Sequence, residues 1–240
     1  MKIGILGYGR MGKEVEKQAL QRGHVISLIK DIDNPLASSD NIHGTEVFID
    51  FTLREAVAQN LTAAAQLGIP IVEGTTGWND ELEELSRLKG LTMIHSPNFS
   101  IGVYQFIKLA EYAAKLFGPL EDYDCYLHEW HHRGKADSPS GTAKKIATVL
   151  IENIPHKTGA LFRTSEEKID PTLLHVTSTR AGRIPGTHRI GFDSACDSII
   201  LEHAAHGREG LAFGAVLAAE WIVGKSGLFT MDDFMRDFFE

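Results

Sequence analysis

The start of the chain narrows the fold more than any other stretch. Lys2 to Leu6 reads as a short apolar strand, runs straight into Gly7-Tyr8-Gly9-Arg10-Met11-Gly12, and is followed by a helix over Lys13 to Gln21. A glycine pattern means little alone; between a first strand and a first helix it marks a dinucleotide-binding turn. Gly7 allows the tight turn, Gly9 lets a pyrophosphate approach the backbone, and Gly12 lets helix and strand pack closely. The competing reading, a glycine-rich turn with no ligand, leaves that spacing unexplained.

An alternation of strands and helices continues from there. His24 to Ile29 reads as a strand ending at Lys30-Asp31-Ile32-Asp33. An acid in that place holds the 2′-hydroxyl of an NAD ribose, whereas a cation accommodates the 2′-phosphate of NADP. Lys30 and Asp31 therefore argue in opposite directions, and the cofactor expectation is NADH or NADPH. Glu46 to Asp50 is a third strand leading into Asp50-Phe51-Thr52 and a helix over Arg54 to Leu67, with Val57, Leu61 and Ala64 on one face. Ile69 to Glu73 is a fourth, breaking into Gly74-Thr75-Thr76-Gly77, which is either a plain turn or a place for main chain to lie against a flat ring. A helix over Asp80 to Leu88 and a strand over Leu91 to His95 complete the series.

Ser96-Pro97-Asn98-Phe99-Ser100 interrupts this rhythm and opens a long helix, Ile101 to Phe117, closed by Gly118-Pro119. A strand over Tyr123 to Trp130 follows, then three more strand-like runs at His175 to Arg180, Thr187 to Asp193 and Ser198 to His203. The last apolar helix, Leu211 to Val223, is expected to return to the first domain. The predicted fold class is α/β: an N-terminal Rossmann-like dinucleotide-binding domain (1–98 plus 208–240) and a second α+β substrate and oligomerisation domain (99–207).

The chemistry concentrates between residues 128 and 142. His128, His131, His132, Arg133 and Lys135 put five cationic or titratable side chains within eight residues, which packing alone does not require. Ser140 reads as the N-cap of a helix starting near Thr142, with Pro139 favouring extended chain before it. The first backbone N–H groups, at Gly141 and Thr142, then lack intrahelical partners and face the positive end of the helix dipole, a place for a carboxylate or phosphate. Two blander readings compete: a capped helix and nothing more, and histidines that are merely structural. A metal site at His128, His131 and His132 is disfavoured, because His131 would face away from the other two on a strand and no further ligand completes a zinc set.

Formal net charge is −8, from 24 Lys and Arg against 32 Asp and Glu. That disfavours a general nucleic-acid or anionic-membrane surface and directs attention to a pocket. Two cysteines, Cys125 and Cys196, are too few for a disulfide framework, no apolar run approaches a membrane span, and the opening residues lack a secretory core. The expected compartment is the cytoplasm.

In order and spacing these motifs resemble the dihydrodipicolinate reductase family. The match is carried by Gly7 to Gly12, Asp50-Phe51-Thr52, Gly74 to Gly77, Ser96 to Ser100, and His131 to Lys135 through Pro139-Ser140-Gly141-Thr142, with a weaker block in His203, Arg208 and Gly214-Ala215. The resemblance implies a reductase that passes hydride from NADH or NADPH to a cyclic imine bearing two carboxylates, built as a homotetramer through the second domain's sheet. By position, it assigns the cofactor to Gly7, Gly9, Arg10, Met11, Gly12, Asp31, Gly74, Thr76, Asn98 and Phe99. His131 and Lys135 match the catalytic pair, with Lys135 as proton donor and His131 orienting it or acting as the acid itself. His132, Lys135, Gly141 and Thr142 match the substrate carboxylate groups. The chain departs from the family pattern by shortening between Asp31 and Thr45, by Tyr104 where many members carry a smaller polar residue, and by the turn at Asp193 to Asp197, which lacks a glycine-glutamate pair. Rival readings are another two-domain amino-acid or semialdehyde dehydrogenase, which would lack the histidine block, and a non-catalytic NAD(P) sensor, which would have no need of a proton donor.

Overall fold

The computed structural model describes residues 1–239. Its contacts divide the chain into two units, Met1–Ile101 together with the segment from Arg208 onward, and Gly102–Gly207.

The first unit opens with β1 (Lys2–Leu6), α1 (Arg10–Gln21), β2 (Val25–Lys30), β3 (Val47–Asp50), α2 (Arg54–Leu67), β4 (Ile71–Glu73), α3 (Leu82–Leu85) and β5 (Met93–His95). Ile3, Ile5, Leu6, Val47, Phe48, Ile49, Ile71, Val72 and Ile94 are almost wholly buried, the near-continuous apolar runs of a parallel sheet covered on both faces. β1 lies between β2 and β3, so the chain reverses its direction of travel across the sheet there, and parallel α/β sheets bind ligands at such a point. The register sets Asp50 beside Glu73 and Glu73 beside His95, a polar row at the strands' carboxyl ends.

Helix α1 starts three residues before the expected Lys13, because Gly9 is its N-cap, and no side chain caps it. The expected helix over Asp80 to Leu88 shrinks to α3. Ser86 Oγ donates to the Glu83 carbonyl at 2.9 Å, and Leu88 N–H turns back to Leu85 at 3.2 Å. These local bonds compete with propagation.

The second unit takes up α4 (Ile101–Phe117) from Gly102 onward, then β6 (Asp124–His131), α5 (Gly141–Asn153), β7 (Gly159–Leu161), β8 (Leu173–Arg180), β9 (Thr187–Asp193) and β10 (Ser198–Ala204). The strands form a five-stranded sheet in the order β10-β9-β6-β8-β7, with β6 parallel to β8 and antiparallel to β9. Its core joins Phe106, Ala110 and Ala114 of α4 to Ile146, Ala147 and Leu150 of α5 and to Cys125, Leu127, Val176 and Ile190 of the sheet. Burial pushes the Cys125 thiol up to about 12, which leaves it an inert packing group.

The chain returns to the first unit as α6 (Glu209–Ile222), β11 (Leu228–Thr230) and α7 (Met231–Phe239). α6 packs on α1 and on β3, β4 and β5, and β11 adds a sixth parallel strand beside β5. Gly214 admits the close approach of Phe99: a Cβ there would stand 1.8 Å from the Phe99 carbonyl oxygen. At the start of α7, Thr230 N–H donates to Asp233 Oδ2 at 2.8 Å while Asp233 N–H donates to Thr230 Oγ1 at 3.3 Å, a reciprocal cap.

The first strand and helix meet through Gly12, where a Cβ would fall 2.1 Å from the Gly7 carbonyl oxygen. Gly12→Ala is therefore expected to lower unfolding free energy by about 1–3 kcal/mol, the usual cost of overpacking, as measured by urea denaturation.

Candidate active site

In β6 the buried positions alternate: Cys125, Leu127, Glu129 and His131 share the inner face. The first two pack into the apolar core. The third puts a carboxylate at 0% exposure, which a fold sustains only with partners. Glu129 Oε1 accepts from Arg180 Nη2 at 2.7 Å, from Ser178 Oγ at 2.8 Å and from the Ser140 backbone N–H at 2.9 Å. On the other oxygen, Oε2 stands 3.3 Å from His131 Nε2 and 3.5 Å from His188 Nε2. Burial pushes the Glu129 carboxyl up, and the adjacent His131 and His188 rings together with the bonds from Ser140 and Arg180 outweigh it, holding the group well below the usual carboxylate range. The backbone of Gly186 lies against the His131 ring: a Cβ there would come within 2.8 Å of Cε1.

The same carboxylate fixes the start of α5. Ser140 is the N-cap as expected, its Oγ accepting from Ala143 N–H at 3.1 Å, and its own N–H is the one held by Glu129. Gly141 is exposed as the first helical residue and Thr142 half-buried as the second. Arg180 Nη2 also donates to the Asp137 carbonyl at 2.6 Å, pinning the loop that carries Lys135. Lys135 Nζ lies 2.7 Å from Asp137 Oδ1. Burial pushes the Asp137 carboxyl up, and the Lys135 ammonium, aided by the Gly141 N–H, overrides it and holds the group below its ordinary value. His132 lies beyond the strand end, half-buried, its carbonyl accepting from Lys135 N–H at 3.1 Å. His131, Lys135, Gly141 and Thr142 thus belong to one loop-and-helix entrance organised on Glu129.

In the first unit the glycine turn has the form a pyrophosphate needs. Gly7 has φ of +84°, and a Cβ there would meet the Phe51 carbonyl oxygen at 2.6 Å; around Gly9 there is nothing within 4 Å. With α1 uncapped by any side chain, its first N–H groups face that open space. Arg10 is exposed, Met11 half-buried and Gly12 buried. Asp31 is exposed at the end of β2, and its Oδ2 accepts from Tyr8 N–H at 3.2 Å. Lys30 is only 6% exposed, and its ammonium is held by Asp40 at 2.8 Å and Asn34 at 3.0 Å. Gly74 is pressed on the Phe51 ring, where a Cβ would fall 2.3 Å from Cε1, and Thr76 is exposed beside it. Asn98 folds its own loop, Oδ1 accepting from Ser100 N–H at 2.8 Å, and the Phe99 side chain is buried, which leaves its backbone as the part able to meet a ligand.

Sequence reasoning passed over Glu129, Arg180 and His188. A glutamate at an inward position of an alternating strand was the available signal for the first. The other two come from strands 51 and 59 residues further on, with no local pattern to mark them. The histidine trio considered for a metal is not the one brought together: His128 faces the other side, bonded to Thr179 at 3.1 Å, while Glu129, His131 and His188 converge. Arg180 supplies the positive charge on that carboxylate.

Family models for the dihydrodipicolinate reductase N-terminus and C-terminus match residues 1–99 and 102–235. The chain belongs to the dihydrodipicolinate reductase family. It is 38% identical to the 4-hydroxy-tetrahydrodipicolinate reductase of Christiangramia forsetii over 246 residues, covering 100% of both chains. To the Archaeoglobus fulgidus protein of the same name it is 38% identical, over 98% of this chain and all of the relative. Among solved structures, a dipicolinate-bound dihydrodipicolinate reductase from Paenisporosarcina sp. TG-14 superposes with a TM-score of 0.73 at 25% identity, covering 96% of this chain and 97% of the other. Aspartate semialdehyde dehydrogenase II from Vibrio cholerae, at 11% identity and a TM-score of 0.53, shares the fold alone. The family resemblance and the α/β class read from the motifs are thus borne out, and the matches to the reductase family lend no support to the rival dehydrogenase or sensor readings.

Because Arg180 and Glu129 neutralise each other in a buried place, Glu129→Ala is expected to lower stability by about 3–5 kcal/mol, the range for an orphaned buried charge, in urea unfolding of the otherwise unchanged chain.

Proposed function

We infer that this chain is a 4-hydroxy-tetrahydrodipicolinate reductase, using NADH or NADPH to form tetrahydrodipicolinate in lysine and diaminopimelate biosynthesis. The observation that carries the reading is the juxtaposition of Lys135 with the Ser140-capped start of α5, where the Lys135 ammonium and the Gly141 N–H already converge on one carboxylate, that of Asp137, as they would on an anionic imine.

When bound, the reduced nicotinamide supplies a hydride. The chain's own residues do the rest. Gly141 N–H and Thr142, with His132 and Lys135, receive a substrate carboxylate. Hydride addition to a carbon conjugated with the imine leaves an enamine, which takes a proton on the neighbouring carbon. Lys135 donates that proton as general acid, and at 26% side-chain exposure it recovers one from solvent. His131, braced by Glu129 and Gly186, orients this end of the site. Gly7, Gly9, Arg10, Met11 and Gly12 hold the cofactor's phosphates, and Gly74, Thr76, Asn98 and Phe99 main chain serve its nicotinamide end.

Lys30 is committed to Asp40 and Asn34, whereas Asp31 stays exposed at the end of its strand, an arrangement that favours NADH over NADPH. Assembly as a homotetramer through the second unit's sheet fits the 51% exposure of Ile200 on β10 and the 45% exposure of Phe162 just after β7. Among the described residues no helix is long and apolar enough to cross a membrane; we place the enzyme in the cytoplasm.

The deciding assay follows NADH and NADPH absorbance on mixing with freshly made product of dihydrodipicolinate synthase. Oxidation of both, faster with NADH, is expected; binding of cofactor without oxidation would refute the reading. Lys135→Ala is expected to lower kcat about 10²–10⁴-fold with cofactor affinity unchanged.

A further inference from the structure

The first unit contains two carboxyl groups that the reaction does not use. Asp50 ends β3, Glu73 ends β4, they are register partners, and each is 0% exposed. Among the described residues, their surroundings supply hydrogen-bond donors but no cation. Asp50 Oδ1 accepts from Thr52 N–H at 2.8 Å and from Thr75 Oγ1 at 3.5 Å, and Oδ2 accepts from Asn60 Nδ2 at 2.7 Å. Glu73 Oε1 accepts from Thr75 N–H at 2.7 Å, while Glu73 Oε2 is buried with no donor. From β5 the facing titratable group is His95, which packs edge-on against Trp78 and whose burial pushes it toward the neutral form. α2 contributes the neutral Asn60.

Two carboxylates cannot both remain charged in such a place. Asp50 has three donors and Glu73 one, so the charge belongs on Asp50 and the proton on Glu73. Burial and the neighbouring Asp50 charge both push Glu73 well above its ordinary value. The unpartnered Oε2 is then explained as the O–H that donates to Asp50.

We propose that Glu73 is a positioning residue, kept as a neutral acid whose proton, shared with Asp50, clamps the Asp50-Phe51-Thr52 loop to the Gly74-Thr75-Thr76-Gly77 loop and so shapes the nicotinamide end of the cofactor site. The clamp touches both loops directly. Thr52 and Thr75 N–H groups are each held by one member of the pair, Thr75 Oγ1 crosses to Asp50, and Gly74 N–H donates to the Asp50 carbonyl at 2.9 Å. Loss of the shared proton places a second negative charge under both loops and separates them. Cofactor affinity therefore belongs to the protonated pair and falls as pH rises through its second ionisation. The proposal rests on the assignment of these loops to the cofactor.

Infrared difference spectra of the wild-type protein against Glu73→Gln, taken across pH, read the proton directly. A protonated-carboxyl stretch present at pH 7, absent in Glu73→Gln and shifted to lower pH by Asp50→Asn is expected. Absence of that band from the wild type overturns the proposal. Cofactor fluorescence titrations of the same proteins read the function. Wild-type Kd for NADH should rise about tenfold per pH unit above the pair's second ionisation, with Glu73→Gln flat over that range. If the band behaves as stated but wild type and Glu73→Gln lose NADH affinity identically with pH, the clamp is overturned. A Gly74→Ala protein that still binds NADH normally would place the fault in the loop assignment instead.

Discussion

The second unit depends on one buried carboxylate. Glu129 occupies a position that strand alternation assigns to the core, and its removal from water obliges the chain to bring Arg180, Ser178, His188 and the Ser140 N–H to it. Those same bonds set the loop and helix start that carry the proposed substrate groups. Ser140 becomes the cap that sets Gly141 and Thr142 at the helix start, Arg180 secures the Asp137 carbonyl in the Lys135 loop, and the His131 ring lies 3.3 Å from the carboxylate two residues back. The three donors on Glu129 Oε1 give a rigid support to the helix start and loop proposed to receive the substrate carboxylate.

The first unit meets the same physical problem with a different answer. Asp50 and Glu73 are as deeply buried as Glu129, but no guanidinium reaches them. One charge and one proton replace the ion pair. Arg180 and the other donors around Glu129 favour its charged form, whereas the proposed Asp50–Glu73 arrangement depends on a shared proton. Each lies at or near the carboxyl ends of strands and supports loops proposed to meet an anionic group.

Much of this was legible in the sequence because it rests on local chemistry. The glycine turn, the helix over Arg54–Leu67, the long helix over Ile101–Phe117 and the Ser140 cap are written in spacings of a few residues, and the structure returns the two helices with unchanged bounds. The short strand Leu228–Thr230 was missed because three residues give no period to read, and the helix after it was missed although Thr230 and Asp233 form a recognisable cap. The partners of Glu129 were illegible for another reason. Arg180 and His188 meet it through strand pairing, and only the register of β6 with β8 and β9 reveals them. Conflict over Lys30 and Asp31 had the same origin, for Asp40, which takes Lys30 out of contention, lies in a loop with no pattern.

The claim at the centre of this account is that Glu129 builds the carboxylate cradle without touching substrate. Calorimetric titration of dipicolinate into the wild type and Glu129→Gln tests it most directly. The side chain keeps its shape but loses its charge. With about 1.5–3 kcal/mol assigned to a hydrogen bond to a charged group, the account predicts dipicolinate binding weakened at least about tenfold while circular dichroism stays that of the wild type. Equal affinity in the two proteins would contradict it.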